Sequence, residues 1–372
     1  MKIGYDAKRL FTNFTGLGNY SRSLVSHYHH VYPEDELHLF TPAIKEDQRT
    51  KSFLDDPSYR IIKPSGIKPL WRSMDIVKDI RDSEVNIYHG LSHELPVGIS
   101  KLGIGKVVTI HDLIFKYYTK DNSWFDRKIY DWKWRHACIA ADIIIAISEQ
   151  TKSDLVHYYD IHPEKIKVIY QSADRIFSQP VANETLNQIM HKYSLPSEYN
   201  LYVGSVISRK NLLSIIKAMV VMKDSERIPL VVIGQGKDYK KKVIEEARRS
   251  NIDHLLIWLG SPPFNDFPAI YKNAQMMIYP SFYEGFGLPV IEAMHVGIPV
   301  ITSDQSSLKE AGGNAAQLIN PSSPDALARA ISITLSDTEL RQNMIRHGTE
   351  HSLKFSPDIN TGMLKEEYEK LT

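Results

Sequence analysis

The sequence predicts an α/β protein of two Rossmann-like, doubly wound domains facing each other across a cleft. Three observations carry that expectation. The chain has 372 residues, enough for two domains of about 100–200 residues each. Short, near-continuous apolar runs recur along it, as in strands covered on both faces of a parallel sheet. Segments of helical length separate most of these runs, and alternating strand and helix implies right-handed crossovers.

Met1 to Asp6 is too short and too polar for a signal peptide and reads as a first strand. The protein is therefore expected to work in the cytoplasm. A helix is expected over Tyr20 to His30, after the turn Thr15-Gly16-Leu17-Gly18-Asn19. Further strands are expected at 107–110, 143–147 and 166–170, then at 201–203, 230–233, 255–259, 276–279 and 299–301. Between the later ones lie expected helices at 211–222, 237–250 and 289–296. Pro180, Asn183 and an isolated helical stretch over 185–193 place a linker at 173–194. The domains then run over 1–172 and 195–355, with a terminal helix in 356–372.

Composition excludes several classes. Lys plus Arg number 45 and Asp plus Glu 44, a net charge of +1, which argues against a dedicated nucleic-acid binder. The single cysteine, Cys138, rules out a disulfide framework and a multi-cysteine metal site. Its apolar neighbours make it a structural thiol. The longest apolar run, 137–147, is broken by Asp142 and falls short of the roughly 20 residues that span a bilayer.

In a doubly wound sheet, ligands sit outside the carboxyl ends of the strands, and four segments there could carry chemistry. Gly16 and Gly18 let backbone N–H groups approach an anion at a helix start, although an ordinary strand-to-helix turn looks the same. Neither a dinucleotide fingerprint nor a P-loop follows. Arg209 and Lys210 follow the 201–203 strand and open a helix, where adjacent cations meet an end that is already positive. A diphosphate would relieve the repulsion, with a guanidinium fork and a compact ammonium to hold it. Ser281 to Ala293 follows the 276–279 strand. Gly285 and Gly287 allow a tight turn of exposed amides, Pro289 suits a first helical turn, and Glu284 and Glu292 bracket the run. Such carboxylates can hold a polyhydroxylated ligand. His111, with Asp112, follows the 107–110 strand and can reach a ligand from there.

Taken together, Glu284 and Glu292 in E-x7-E spacing around Gly285-Phe286-Gly287-Leu288-Pro289, the Gly204 to Asn211 segment, Gly16 to Tyr20 and His111-Asp112 resemble glycosyltransferase family 4, retaining enzymes of the GT-B fold. The likeness spans essentially the whole chain. Asp6-Ala7-Lys8-Arg9 and Gly18-Asn19-Tyr20 are similar to its bacterial mannosyltransferase-like branch. The resemblance implies an N-terminal acceptor-side domain, a C-terminal nucleotide-sugar domain and a last helix packing back on the first. It implies that Arg209 and Lys210 bind the donor diphosphate and stabilise the leaving nucleotide. Glu292 would hold the ribose. Glu284, with the amides of Gly285, Phe286 and Gly287, would hold the donor sugar. The Leu288 amide would face a phosphate, Gly16 and Gly18 would cover the phosphates, and His111 would contact the sugar and acceptor. No metal or other cofactor is implied. The donor would be GDP- or UDP-linked, GDP-mannose first, and the acceptor a cell-surface glycan precursor, lipid-linked in one form. A nucleotide-sugar epimerase or phosphorylase of the same shape, and a non-catalytic nucleotide-sugar binding protein, are the alternatives. The aromatic and basic stretch Trp124 to Arg135 leaves two readings: a core-packing helix with a solvated face, or contact with the inner face of the membrane or a lipid-linked acceptor.

Overall fold

The strands of the first half are rich in Val, Ile and Leu because both faces of the sheet are covered. A computed structural model describes residues 1–66, 70–119 and 123–372. By its internal packing the chain divides into two units, Met1–Gln171 with Pro357–Thr372, and Ser172–Ser356.

Unit 1 holds a seven-stranded sheet of β1 (Lys2–Asp6), β2 (Glu36–Phe40), β3 (Tyr59–Ile62), β4 (Ile87–Gly90), β5 (Gly105–Ile110), β6 (Ile143–Ala146) and β7 (Ile166–Val168). All pairings are parallel, in the order β3-β2-β1-β4-β5-β6-β7. Alternate side chains feed two cores. Val108, Ile110, Ile144 and Ala146 pack on one face, and Val107, Ile143 and Ile145 on the other. Cys138 is buried with the first of these cores, and burial pushes its thiol up to about 12.

Unit 2 repeats the plan with β8 (Asn200–Val203), β9 (Leu230–Ile233), β10 (Leu256–Gly260), β11 (Met276–Tyr279), β12 (Val300–Ser303) and β13 (Gln317–Ile319). Its order is β10-β9-β8-β11-β12-β13, again parallel. In each sheet the chain winds outward from its first strand and then crosses to the other side. The switch points therefore fall between β1 and β4, and between β8 and β11. Loops leave the carboxyl ends there in opposite directions and open a crevice.

The structure corrects several expectations. The segment 173–194 is not a linker but part of unit 2. Phe177 is fully buried against Tyr271 and Phe264, and the helix Asn183–Lys192 packs on the helix Phe267–Lys272. The first long helix starts at Gly16 rather than Tyr20 and runs to Val31. Strands β2, β3, β4 and β13 had no apolar run to announce them. In β4 a histidine and a glycine sit in a wholly buried strand. His89 is tolerated because Tyr368 Oη and Thr109 Oγ1 lie 2.6 and 2.8 Å from its two nitrogens. Tyr368 comes from the terminal helix Pro357–Glu369, which lies in unit 1. Lys365 of that helix pairs with Asp35 at 2.7 Å.

Candidate active site

Unit 2 gathers its chemistry at the β8/β11 switch point. After β8, Ser208–Lys210 forms one 3₁₀ turn, and Asn211 (φ +58°) turns the chain into the helix Leu212–Val221. The Asn211 side chain pays for this left-handed backbone by donating to Pro280 O at 3.1 Å and Pro321 O at 2.7 Å. Phe282 N donates to Arg209 O at 2.9 Å, so the loops after β8 and β11 are tied together.

That tie brings Arg209, Lys210 and Glu284 into direct contact. Arg209 Nη1 lies 2.9 Å from Glu284 Oε2, and Lys210 Nζ lies 3.2 Å from Oε1. Tyr279, the last residue of β11, donates its hydroxyl to Glu284 Oε1 at 3.1 Å and accepts from Lys210 Nζ at 2.5 Å. Arg209 also donates to Tyr283 O. Burial alone would raise the Glu284 carboxyl, but Lys210 and Arg209 outweigh it and bring it down to about 2. Ser306 Oγ accepts from the Glu284 amide at 3.2 Å, and Ser307 Oγ donates to Glu284 O and Phe286 O at 2.7 and 2.9 Å.

Gly287 (φ +127°) opens the helix Leu288–Val296. It needs to be glycine: a Cβ there would also fall 2.7 Å from Leu308. Leu288 stands at the first helical position, where N–H groups have no acceptor within the helix. The Phe286 side chain is buried against Phe355, so this residue can offer a ligand only its backbone. Glu292, one turn into the helix, is half-buried and accepts from Tyr271 Oη at 2.7 Å. Burial raises its carboxyl to about 7, outweighing the lowering by Tyr271 and Lys210, and Asp174 adds to the rise. Two carboxylates on one short segment thus have opposite character, one held ionised by cations and one half-protonated near neutrality.

In unit 1 the outcome differs. His111 is buried, its Nε2 2.9 Å from Leu91 O and its Nδ1 2.9 Å from Gln171 Nε2. The carbonyl needs a donor and the amide an acceptor, so Nε2 carries the proton and the imidazole is neutral. Burial lowers it to about 4. Both nitrogens are occupied by protein, and the ring edge rests on Tyr20 at 4.6 Å. In this arrangement His111 fixes the β5 loop, and a sugar hydroxyl that bonded to a ring nitrogen would have to replace Leu91 O or Gln171 Nε2. Gly16 and Gly18 lie within the first helical turn, not in a loop before it. Gly18 is required by packing, since a Cβ would sit 1.7 Å from Asn13 O. Its amide donates to Asn13 Oδ1 at 3.2 Å, so that N–H already has an acceptor. Only Gly16 faces open space.

Sequence reasoning missed Tyr279, Tyr271, Ser306 and Ser307. A signal existed for Tyr279, a lone hydroxyl ending the run Met276-Met277-Ile278. No group of His, Cys, Asp and Glu able to hold a metal ion occurs among the described residues.

Two doubly wound units, one with a cation–carboxylate cluster at its switch point, define the class: α/β glycosyltransferases of the GT-B fold. The chain belongs to the glycosyltransferases. Residues 14–175 match the family "Glycosyltransferase Family 4" and residues 189–351 match "Glycosyl transferases group 1". The O-antigen chain mannosyltransferase B of Escherichia coli is 29% identical over 387 residues, covering 96% of each chain. The O-antigen chain mannosyltransferase RfbU of Salmonella typhimurium is 28% identical over 61% of this chain and 60% of its own. Among solved structures, a glycosyltransferase from Rickettsia africae superposes with a TM-score of 0.77 at 18% identity, covering 100% of this chain and 98% of that one. Anabaena HepE in complex with UDP and glucose gives 0.77 at 16% identity, covering 100% of both.

Proposed function

We propose that the protein transfers a mannosyl group from GDP-mannose, with retention of configuration, to a hydroxyl of a cell-surface glycan precursor. The carrying observation is the Arg209–Glu284–Lys210 cluster at the β8/β11 crevice. The choice of mannose follows the full-length relative, an O-antigen mannosyltransferase. In this reading the diphosphate takes Arg209 and Lys210, and Glu284 is released to the sugar hydroxyls, where the amides of Gly285, Phe286 and Gly287 join it. The Leu288 N–H faces a phosphate, and Glu292 receives the ribose hydroxyls. Positive charge preset around the departing phosphate is worth most in the transition state, where charge on that oxygen grows. The acceptor hydroxyl attacks from the face the nucleotide leaves, and the departing phosphate takes its proton. Arg209 and Lys210 supply the charge that a metal would otherwise bring.

Unit 1 receives the acceptor, and its helix Trp124–Ala140 touches the inner face of the membrane. Trp124, Phe125, Lys128, Trp132, Arg135 and Ile139 are all exposed and fall within about 100° of one another at 3.6 residues per turn. An apolar face edged with cations suits an anionic bilayer surface. No helix among the described residues is long and apolar enough to cross a membrane.

The test is nucleotide release from GDP-mannose, UDP-glucose and UDP-galactose with membrane glycolipid as acceptor, and the anomeric proton coupling of the product. GDP release that requires the acceptor, with an α-linked product, is expected. Preference for a UDP-sugar overturns the donor, and a β-linked product overturns retention.

A further inference from the structure

The switch point of unit 1 carries more cations than its carboxylates pair among the described residues. After β1 come Lys8 and Arg9, and after β4 come Ser92, His93 and Glu94. Arg72 reaches over both loops. Its Nε and Nη2 donate to Asp6 Oδ2 at 2.9 and 2.5 Å, and its Nη1 pairs with Glu94 Oε2 at 2.8 Å. Lys133 Nζ takes the same Glu94 oxygen at 3.3 Å. Both carboxylates of the crevice are thereby occupied. Among the described residues, neither Lys8 nor Arg9 has an ion-pair partner.

Two buried nitrogens are left over as well. Arg9 Nε and His93 Nδ1 have no hydrogen-bond partner among the described residues. His93 is 6% exposed, and its ring is stacked on Trp134 at 3.9 Å with a 10° tilt. Its backbone lies at φ +63°, a strained conformation for a residue with a Cβ. The fold thus holds an imidazole rigidly in place and leaves its buried nitrogen unsatisfied, which costs stability unless something binds there. Burial depresses the His93 imidazole first, and His111, its ring 5.1 Å away, adds to that together with Arg9 and Arg72. Arg72 contacts Asp6 at the end of β1 and Glu94 after β4, so the two loops flank one crevice. Burial depresses the Lys8 ammonium first, and Arg72 and Arg9 add to that against Glu94 and Asp6.

We infer that the crevice between the carboxyl ends of β1 and β4 is a phosphoryl-binding subsite for the acceptor, with Arg9, Lys8 and the His93 imidazole as its donors and the Asp6–Arg72–Glu94 pairs as its wall. A guanidinium, an ammonium and a ring N–H offer donors in three directions, which suits the several oxygens of a phosphoryl group better than the two of a carboxylate. The acceptor class that follows is a glycan on a phosphate or diphosphate carrier. This rests on the reading of unit 1 as the acceptor half.

The test uses inorganic pyrophosphate as probe and the ring signals of His93 as readout, in full-length protein with labelled histidine, the signals assigned through His93→Gln. The expected result is a shift of the His93 signals in the natural protein and in Lys210→Ala, weakened at least tenfold in Arg9→Gln and in Lys8→Gln, each variant first shown folded by circular dichroism. Unmoved His93 signals, or equal shifts in Arg9→Gln, overturn the subsite. Shifts that vanish in Lys210→Ala assign the anion to the donor site and also overturn it. The titration needs no turnover, so it can fail while glycosyl transfer stands. An Arg9→Gln enzyme with unchanged acceptor KM overturns the acceptor assignment alone.

Discussion

The two units place charge at the same topological position and dispose of it differently. At the β8/β11 crevice two cations meet one carboxylate, and Glu284 binds both. At the β1/β4 crevice Asp6 and Glu94 are both engaged by Arg72, and Lys8 and Arg9 have no ion-pair partner among the described residues. Sheet topology decides where a ligand can sit, since both crevices follow from the same winding. The partnering of side chains decides what each crevice lacks. Unit 2 rests with its two cations paired to an internal anion, which the proposed diphosphate would displace. Unit 1 rests with an unmet demand for one.

The sharpest way to break this comparison is to remove the internal anion. Glu284→Ala leaves Arg209 and Lys210 unpaired in a largely buried site, and stability should fall by about 3–5 kcal/mol. Urea unfolding measures it. Added GDP should restore part of the loss, because the diphosphate replaces the carboxylate, whereas a loss under 1 kcal/mol would mean the cluster is solvated. Next in size is Lys210→Ala. It should keep its fold and lower kcat by about 10²–10³, as for loss of one preset donor to a developing anion. Acceptor-dependent nucleotide release reads it, and a drop of less than threefold would remove Lys210 from the diphosphate site.

The fold was legible because buried parallel strands are continuous apolar runs, so β5, β6, β8, β9, β11 and β12 stand out in the sequence. Strands that break the pattern do not. β4 contains His89, whose burial depends on a tyrosine 279 residues away, and no local reading can see such a partner. Arg209, Lys210 and Glu284 were each legible as candidates because each follows a strand, where ligands sit in a doubly wound sheet, and because their motifs resemble the family's. That Glu284 would turn on the two cations was not, since it depends on the Phe282–Arg209 backbone tie. His111 shows the same limit of local reading. Its place at a strand end suggested a ligand contact, and nothing nearby in the sequence announces that Gln171, 60 residues on, holds its Nδ1. His93 went unnoticed because a positive φ and an orphaned nitrogen have no signature in sequence.

Glu284 and Glu292 sharpen the contrast within unit 2. The folded pKa of Glu284 is depressed, so its stabilisation is present above its ordinary 4.5 and is lost as pH falls toward about 2. Glu292 runs the other way. Its folded pKa is raised from 4.5 to about 7, so the native state holds the extra proton between those values and stability falls as pH rises through that window, by up to about 3 kcal/mol. Glu292→Gln should flatten the decline between pH 4.5 and 7 and leave the acid limb intact. Chemical denaturation at stepped pH checks both limbs. An unchanged slope above pH 4.5 would mean that water reaches Glu292 freely.

The smallest effect on the fold belongs to the exposed helix of unit 1. Trp132 is 59% exposed, so Trp132→Ser should change stability by no more than about 0.5 kcal/mol. Its ring stacks on His136 at 5.7 Å, a surface contact that solvent can replace. Binding to vesicles rich in anionic lipid should nevertheless weaken, because an aromatic ring at the interface contributes buried apolar area that serine cannot. Lys128→Gln with Arg135→Gln should weaken it further at low salt and have little effect at high salt, where the surface potential is screened. Co-sedimentation with vesicles at two ionic strengths separates the two contributions. Binding that survives all three substitutions would return this helix to the bland reading, a packing helix with a solvated face, and would leave acceptor capture to the β1/β4 crevice alone.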